Sequence, residues 1–70
     1  MKSNYKKFGQ LVKEWREDKG FTQEELAYRS KISVTYISKI ENGQTNVSLD
    51  TICKIASGLG IKVADLVEGM

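Results

Sequence analysis

Residues 22–43, with the sequence TQEELAYRSKISVTYISKIENG, constrain the fold of this chain more than any other segment. Two short amphipathic helical patterns lie there, and only a few residues separate them. Thr22 and Glu25 have the spacing of a capping box, in which each side chain binds a free backbone N–H of the other residue. Ser33 can cap the second helix. The segment therefore predicts two helices joined by a turn too short to hold any other element.

The second of these helices carries its apolar residues along one side. Val34, Ile37 and Ile40 recur at i, i+3 and i+6, so the opposite side of the helix faces outward. Ala27 in the first helix is small at the place where the second helix must pass close to it. Two helices joined in this way form a helix-turn-helix unit, whose second helix can enter the major groove of DNA. The outward side of the second helix is therefore the first candidate for a binding surface.

Helical patterns continue along the rest of the chain, without strand-like alternation, linkers or repeats. The expected helices cover residues 6–19, 23–30 and 34–42, then a fourth helix from Ser48 to an end marked by Gly58 and Gly60, and a fifth over residues 63–67. Apolar residues cover the fourth helix so widely that we expect it to be central: Leu49, Ile52, Cys53, Ile55, Ala56 and Leu59. The sequence predicts an all-α fold, a compact five-helix bundle forming a single domain over residues 1–70.

The composition narrows the classes of function. The net charge of +2 is too small to indicate nucleic acid by itself, so any basic patch must come from placement. The chain has no His and one Cys, which excludes an internal disulfide and gives no metal-ligand cluster. We expect Cys53 to be a packed apolar side chain rather than a redox sensor. No signal peptide is evident and no apolar run approaches the roughly 20 residues that span a bilayer, so we expect a cytoplasmic protein without membrane contact.

The sequence lacks the residues that enzymes usually use for catalysis. There is no His, no pair of acidic residues in a predicted cleft, and no Gly-rich phosphate loop after a strand. A chain of 70 residues also leaves little room for a concave substrate pocket. We therefore expect a protein that is not an enzyme, with no cofactor and no small-molecule ligand.

Three segments together resemble the phage-repressor and Cro-like helix-turn-helix family, also called the xenobiotic-response-element type. They are FGQLVKEWREDKGFTQEELA, ISVTYISKIENGQTNVSLDTICKIASGLGI and VADLVEG, and they cover nearly the whole chain. Within that family, the run VTYISKIENG is most similar to small stand-alone regulators, including the controller proteins of restriction–modification systems. The resemblance implies a lambda-repressor-like domain of prokaryotic or phage origin that associates with the nucleoid and regulates transcription by binding specific double-stranded DNA.

Two sets of residues are expected to contact DNA. The base readers implied by the resemblance are Val34, Thr35, Ser38 and Lys39. The expected phosphate contacts are Gln23, which the resemblance also implies, and Tyr36, Gln44, Thr45 and Asn46. Hydroxyl, methyl and ammonium groups fit the edges of base pairs, and free N–H groups at a helix start suit a phosphate. The plainer alternative is that these residues only form the solvated side of an amphipathic helix.

Arg16 and Glu41 match an ion pair of the resembled family that ties the first helix to the end of the third. We expect its role to be structural, because either charge left buried alone would be costly. Two positions depart from the family pattern. Lys31 lies in the turn where relatives often have Gly, so a left-handed backbone there would cost about 1 kcal/mol. Lys62 replaces the usual Ser or Asp cap, which predicts a short or frayed last helix.

The last residues of the sequence predict a homodimer. A single module contacts one segment of a major groove, whereas a dimer can read two half-sites of a pseudo-palindrome about one helical turn apart. The end of the chain holds more apolar residues than a small core needs, and we expect these to pair two subunits: Ile61, Val63, Leu66, Val67 and Met70. The alternative is that they cover the base of the first and fourth helices.

Other partners stay open at this point. Glu24 and Glu25 on the second helix are candidates for a contact with RNA polymerase. The same fold could also serve as an antitoxin or an adaptor whose decisive partner is a protein. A third reading is the DNA-binding fragment of a longer repressor.

Overall fold

Five helices form the part of the chain that a computed structural model describes, which is residues 2–70 with side chains from Asn4 onward. They are α1 (Lys2–Asp18), α2 (Gln23–Ser30), α3 (Val34–Glu41), α4 (Leu49–Leu59) and α5 (Val63–Leu66). The predicted all-α class and the order of the helices are confirmed. The prediction was wrong about the start of α1, which begins at Lys2 rather than Lys6. Its polar first turn extends the helix without adding to the apolar pattern on which the prediction rested.

Three hydroxyl side chains fix the residues at which α2, α3 and α4 begin. Thr22, Ser33 and Ser48 each precede a helix and accept a hydrogen bond from the backbone N–H three residues further on, at 3.0, 3.1 and 3.2 Å. Such a bond satisfies an N–H group that has no partner inside the helix and contributes about 1 kcal/mol. The capping box at Thr22 is only half formed, because the Glu25 carboxylate pairs with Arg29 at 3.1 Å instead.

The hydrophobic core holds α3 by one side only. Its members come from all five helices and are Phe8, Val12, Leu26, Ala27, Ile37, Ile40, Ile55, Ala56, Leu59 and Leu66. Each large apolar side chain removed from water contributes about 1.5–3 kcal/mol. Ile37 and Ile40 of α3 are fully buried among them, as the apolar pattern predicted, whereas Val34, the first residue of that pattern, is 38% exposed and lies at the edge of the outward side. The opposite side of α3 is therefore left facing outward.

Helix α4 is less central than the sequence predicted. Ile55, Ala56 and Leu59 are buried, but Leu49 is 71% exposed and Cys53 is exposed as a free thiol. The predicted packing of Cys53 as an apolar core side chain is therefore wrong. The physical reason is that Leu49 and Cys53 stand one turn apart on a side of α4 that none of the described helices covers, since α4 packs mainly against α2.

Gly58 is the second-to-last residue of α4, so together with Gly60 it marks the end of the helix as predicted. The helix ends at Leu59, and Gly60 follows it in the left-handed conformation, with φ +73°. Gly58 is buried where α4 crosses α2, and an added Cβ would collide with the Ser30 hydroxyl. Glycine is thus used here for close approach of two helices, a role that sequence spacing alone does not distinguish from helix termination.

Two features are absent from residues 2–70. No three side chains of the His, Cys, Asp and Glu types are grouped so that they could hold a metal ion in this part of the chain. Within the same residues, no helix combines the length and the apolar character needed to cross a bilayer.

Candidate nucleic-acid interface

The outward side of α3 brings the four predicted base-reading residues together. Val34, Thr35 and Lys39 are exposed, and Ser38 between them is half-buried. The Ser33 cap fixes the first turn of α3, and the buried isoleucines of α3 fix how the helix is rotated about its axis. The surface therefore presents the methyl groups of Val34 and Thr35, two hydroxyl groups and an ammonium group on a helix that is held in place.

The turn that joins α2 to α3 begins with a left-handed residue. Lys31 has φ +58° and ψ +41°, and it is the one residue other than glycine with a positive φ among residues 2–70. The N–H of Ile32 donates to the carbonyl of Ala27 at 3.0 Å, which closes the end of α2, and Ile32 packs on the core. The left-handed conformation expected for this turn is present, and it sets the angle at which α3 leaves α2.

A buried ion pair anchors the other end of α3. Nε of Arg16 donates to Oε2 of Glu41 at 2.7 Å, and Nη2 donates to Oε1 at 3.1 Å, so the pairing is bidentate. Nη1 of Arg16 donates to the carbonyl of Phe21 at 2.8 Å. The hydrogen bond to Glu41 raises the pKa of the Arg16 guanidinium above its ordinary value. The structure contains the predicted pair, which ties α1 to α3.

Gln23 at the start of α2 joins the same ion pair. Its Nε2 donates to Oε1 of Glu41 at 3.0 Å, and its side chain is half-buried. The sequence predicts Gln23 as a phosphate contact and does not predict this bond, since nothing in its local spacing points to a residue at the end of another helix. The structure instead makes Glu41 a common acceptor for α1 and α2.

The loop between α3 and α4 folds back on α3. The N–H of Gln44 donates to the carbonyl of Lys39 at 2.9 Å. The hydroxyl groups of Tyr36 and Thr45 both donate to the carbonyl of Asn46, at 3.4 and 3.2 Å. The predicted phosphate residues of the loop are thereby placed beside α3, and the Tyr36 hydroxyl is used in holding them there.

Few unpaired cationic side chains lie beside this surface. Lys39 is exposed, whereas the guanidinium of Arg29 lies 4.4 Å from the centre of the Phe21 ring and is also paired with an acid. Gly43, with φ +70°, lies against α1, since a Cβ there would come within 2.8 Å of the Lys6 Cα. The exposed Lys6 thus stands next to the loop that follows α3.

A helix-turn-helix family model matches residues 12–66. The chain belongs to the helix-turn-helix family. It is 47% identical over 62 residues to Control protein C.BamHI of Bacillus amyloliquefaciens, covering 87% of this chain and 76% of that protein. It is 41% identical over 64 residues to the HTH-type transcriptional regulator DdrOP3 of Deinococcus deserti, covering 91% of this chain but only 50% of DdrOP3.

Solved structures give the same placement within the helix-turn-helix family. The restriction-modification controller protein C.AhdI from Aeromonas hydrophila matches with a TM-score of 0.89 and 42% sequence identity. The match covers 91% of this chain and 97% of that one. The predicted resemblance to phage-repressor-like helix-turn-helix proteins, and to controller proteins within them, is therefore confirmed.

The residues predicted to form a dimer surface do not all reach the surface. Leu66 is fully buried in the core, so the prediction was wrong for this residue, because α5 turns it between α1 and α4. The residues Ile61, Val63 and Val67 are half-buried against the core, and Met70 is 52% exposed. Four of the five residues thus retain some exposed apolar surface at this end of the molecule.

Proposed function

We propose that this chain is a sequence-specific, double-stranded DNA-binding transcriptional regulator of the controller-protein kind. The observation that carries the proposal is the outward side of α3, where Val34, Thr35, Ser38 and Lys39 stand on a capped and anchored helix. In a helix-turn-helix protein the second helix of the unit enters the major groove. The similarity to controller proteins and transcriptional regulators supports the same use of this helix.

The chemistry of α3 suits direct reading of a few base pairs. Thr35 and Ser38 can donate to or accept from base edges, and the Val34 and Thr35 methyl groups fit the methyl group of thymine. Lys39 can reach the O6 and N7 acceptors of guanine. Because this side of the helix has no Arg, Gln or Asn, which make bidentate contacts, part of the specificity comes from the shape and deformability of the DNA.

Phosphate contacts flank the reading helix in this proposal. Gln23 binds a phosphate at the start of α2, where the helix dipole favours an anion. The loop residues Gln44, Thr45 and Asn46 bind the backbone beside α3, and Tyr36 holds the loop in position as well as contacting the backbone. These contacts position the protein without selecting a sequence.

The regulator acts as a homodimer on a pseudo-palindromic operator. Two subunits pair through the exposed parts of Ile61, Val63, Val67 and Met70, which sets two copies of α3 about 34 Å apart. Sedimentation equilibrium at micromolar concentrations, with and without DNA, tests this part. A monomer in solution that also binds DNA as one protomer per site would contradict it.

Regulation follows from occupation of promoter DNA in the cytoplasm of a prokaryotic cell, with no catalytic step. RNA polymerase is a candidate partner through α2, where Glu24 is exposed. Glu25 is less suited, because its carboxylate is paired with Arg29. A polymerase contact would make the protein an activator, whereas blocking the promoter would make it a repressor.

The decisive experiment is selection of bound duplexes from a randomised DNA library at about 0.15 M salt, where weak surface electrostatics are screened. We expect an inverted repeat with half-sites about one helical turn apart. Selection repeated with Thr35→Ala and Ser38→Ala should enrich different sequences, whereas Gln23→Ala should weaken binding to all sequences alike. If the wild-type chain enriches no sequence and its binding vanishes as salt rises, the proposed function is wrong.

A further inference from the structure

The Glu41 carboxylate is the point where three helices meet. Its Oε2 accepts from Nε of Arg16 on α1, and its Oε1 accepts from both Nη2 of Arg16 and Nε2 of Gln23 on α2. The Glu41 side chain is 2% exposed and that of Arg16 is 11% exposed, whereas Gln23 is half-buried, so the acceptor of these bonds is largely shielded from water. Hydrogen bonds to a charged group are stronger than neutral ones, and the shortest of the three, at 2.7 Å, joins Nε of Arg16 to Oε2 of Glu41.

The chemistry of this carboxylate dictates how the Gln23 amide is turned. An ionised carboxylate only accepts hydrogen bonds, so it pairs with the NH₂ end of an amide and repels its oxygen. Nε2 of Gln23 carries two N–H groups, and only one of them is used by Glu41. The second N–H points away from the first by the planar geometry of the amide, and Arg16 cancels the negative charge that would otherwise repel an approaching phosphate.

The backbone around Gln23 adds donors to the same place. Thr22 accepts from the N–H of Glu25 through its hydroxyl and from the N–H of Leu26 through its carbonyl. The N–H groups of Gln23 and Glu24 precede these two, in the first turn of a helix, where N–H groups have no partner inside the helix. An anion bound here would meet the second amide N–H of Gln23 together with these backbone donors.

We propose that Glu41 is a positioning residue for DNA binding. It holds the Gln23 amide so that its second N–H donates to a backbone phosphate of DNA at the start of α2. The proposal rests on the proposed function, and it gives the Arg16–Glu41 pair a second role besides joining α1 to α3. DNA binding then leaves the bond between Gln23 and Glu41 intact, because each partner uses a different N–H.

Nuclear magnetic resonance of the whole chain observes this directly. The two side-chain amide protons of Gln23 give separate signals, which are followed as the inverted-repeat duplex recovered by selection is added. We expect the signal of the proton bonded to Glu41 to keep its position and the signal of the other proton to move downfield. If the signal of the proton bonded to Glu41 shifts when DNA is added, Gln23 leaves Glu41 on binding. That result would overturn the positioning role of Glu41 but leave the proposed DNA binding intact. A chain that binds no duplex overturns both proposals.

A mutant cycle measures the same coupling as affinity. In the wild-type chain Gln23→Ala should weaken DNA binding about tenfold, as expected for one hydrogen bond to a charged group. The variant with both Arg16→Met and Glu41→Met replaces the buried ion pair by apolar side chains of similar size, a change that folds often tolerate. In that background Gln23→Ala should change affinity by about twofold or less, because the amide is no longer held.

The matched control is Arg16→Lys, which disturbs the same ion pair but leaves Glu41 to accept from Gln23. In the Arg16→Lys background, Gln23→Ala should still cost about tenfold in affinity. Circular dichroism confirms that each variant is folded at the temperature of measurement. Equal losses from Gln23→Ala in the wild-type and the double-methionine backgrounds would overturn the proposal and leave Glu41 with a structural role alone.

Discussion

Two helix crossings hold the helix-turn-helix unit formed by α2 and α3, and they are built differently. Where α1 crosses α3, a Cβ added to Gly9 would collide with the carbonyl oxygen of Ile40 and lie 3.0 Å from that of Glu41. Where α4 crosses α2, a Cβ added to Gly58 would collide with the side-chain hydroxyl of Ser30. Each crossing thus uses a glycine for close approach. At Gly9 the added Cβ would meet backbone atoms, which cannot move aside. At Gly58 it would meet a side chain before it meets backbone.

Polar groups sharpen the contrast between the two crossings. The α1–α3 crossing carries the bidentate pair of Arg16 and Glu41, whose donors and acceptors are matched. At the α2–α4 crossing the hydroxyl of Ser30 is buried, and no hydrogen-bond partner is found for it among the described residues. The helix proposed to read DNA is therefore held by fixed, paired groups, while the support behind it depends on apolar packing. The crossings should respond differently to mutation.

The largest effect is expected from breaking the ion pair. Arg16→Ala leaves the Glu41 carboxylate, with its side chain 2% exposed, without its charged partner, and should lower the free energy of unfolding by about 3–5 kcal/mol. Urea denaturation followed by far-UV circular dichroism measures this. Lys54→Ala is the control, because its pair with Asp50 is exposed and should be worth less than about 1 kcal/mol. If both variants lose a similar free energy of unfolding, burial does not determine how much an ion pair contributes to stability.

Gly9→Ala should be the next most harmful change. The added methyl group meets the carbonyl oxygen of Ile40 at the end of α3, so α1 must move away, at a cost of about 3 kcal/mol. Gly20→Ala separates this clash from backbone strain. At Gly20, φ is +76° and no atom lies within 4 Å of the added Cβ, so only the left-handed penalty of about 1 kcal/mol applies. If thermal unfolding shows the same loss for both, the close approach at Gly9 is not what matters.

Gly58→Ala should cost less, about 1–3 kcal/mol, because part of the clash is with the Ser30 side chain. Ser30→Ala by itself should be neutral or stabilising by up to about 1 kcal/mol, since it removes a buried hydroxyl without a partner. Combining the two should recover part of the Gly58→Ala loss. Recovery stays partial because the Cβ would still lie 3.0 Å from the Ser30 nitrogen. Strictly additive free energies of unfolding would show that the two side chains do not meet.

Features set by nearby residues were predictable from the sequence. The starts of α2, α3 and α4 follow from Thr22, Ser33 and Ser48, whose hydroxyl groups act within one turn of helix. The exposure of Cys53 and the burial of Leu66 were not predictable, because both depend on which side of a helix its neighbours cover. The spacing of apolar residues predicts the buried side of a helix only when polar residues clearly occupy the opposite side.

The candidate site divides in the same way. The outward residues of α3 follow from the period of a single helix and could be identified without a structure. The bond from Gln23 to Glu41 joins the first residue of one helix to the last residue of another. The family resemblance implied the Arg16–Glu41 pair, but no spacing rule brings Gln23 to it. Tertiary contacts of this kind become visible only when the helices are packed.

The smallest expected effect comes from the turn that connects the two crossings. Lys31 has φ +58°, a conformation that a side chain with a Cβ adopts at a cost and glycine adopts freely. Lys31→Gly should therefore raise the free energy of unfolding, by about 1 kcal/mol at most, since glycine also gives the unfolded chain more freedom. Lys31→Ala keeps the Cβ and removes the charge, so it should leave stability almost unchanged. A gain from Lys31→Ala equal to that from Lys31→Gly would assign the effect to charge. A gain from Lys31→Gly alone would show that this turn stores backbone strain, independently of how firmly either crossing holds α3.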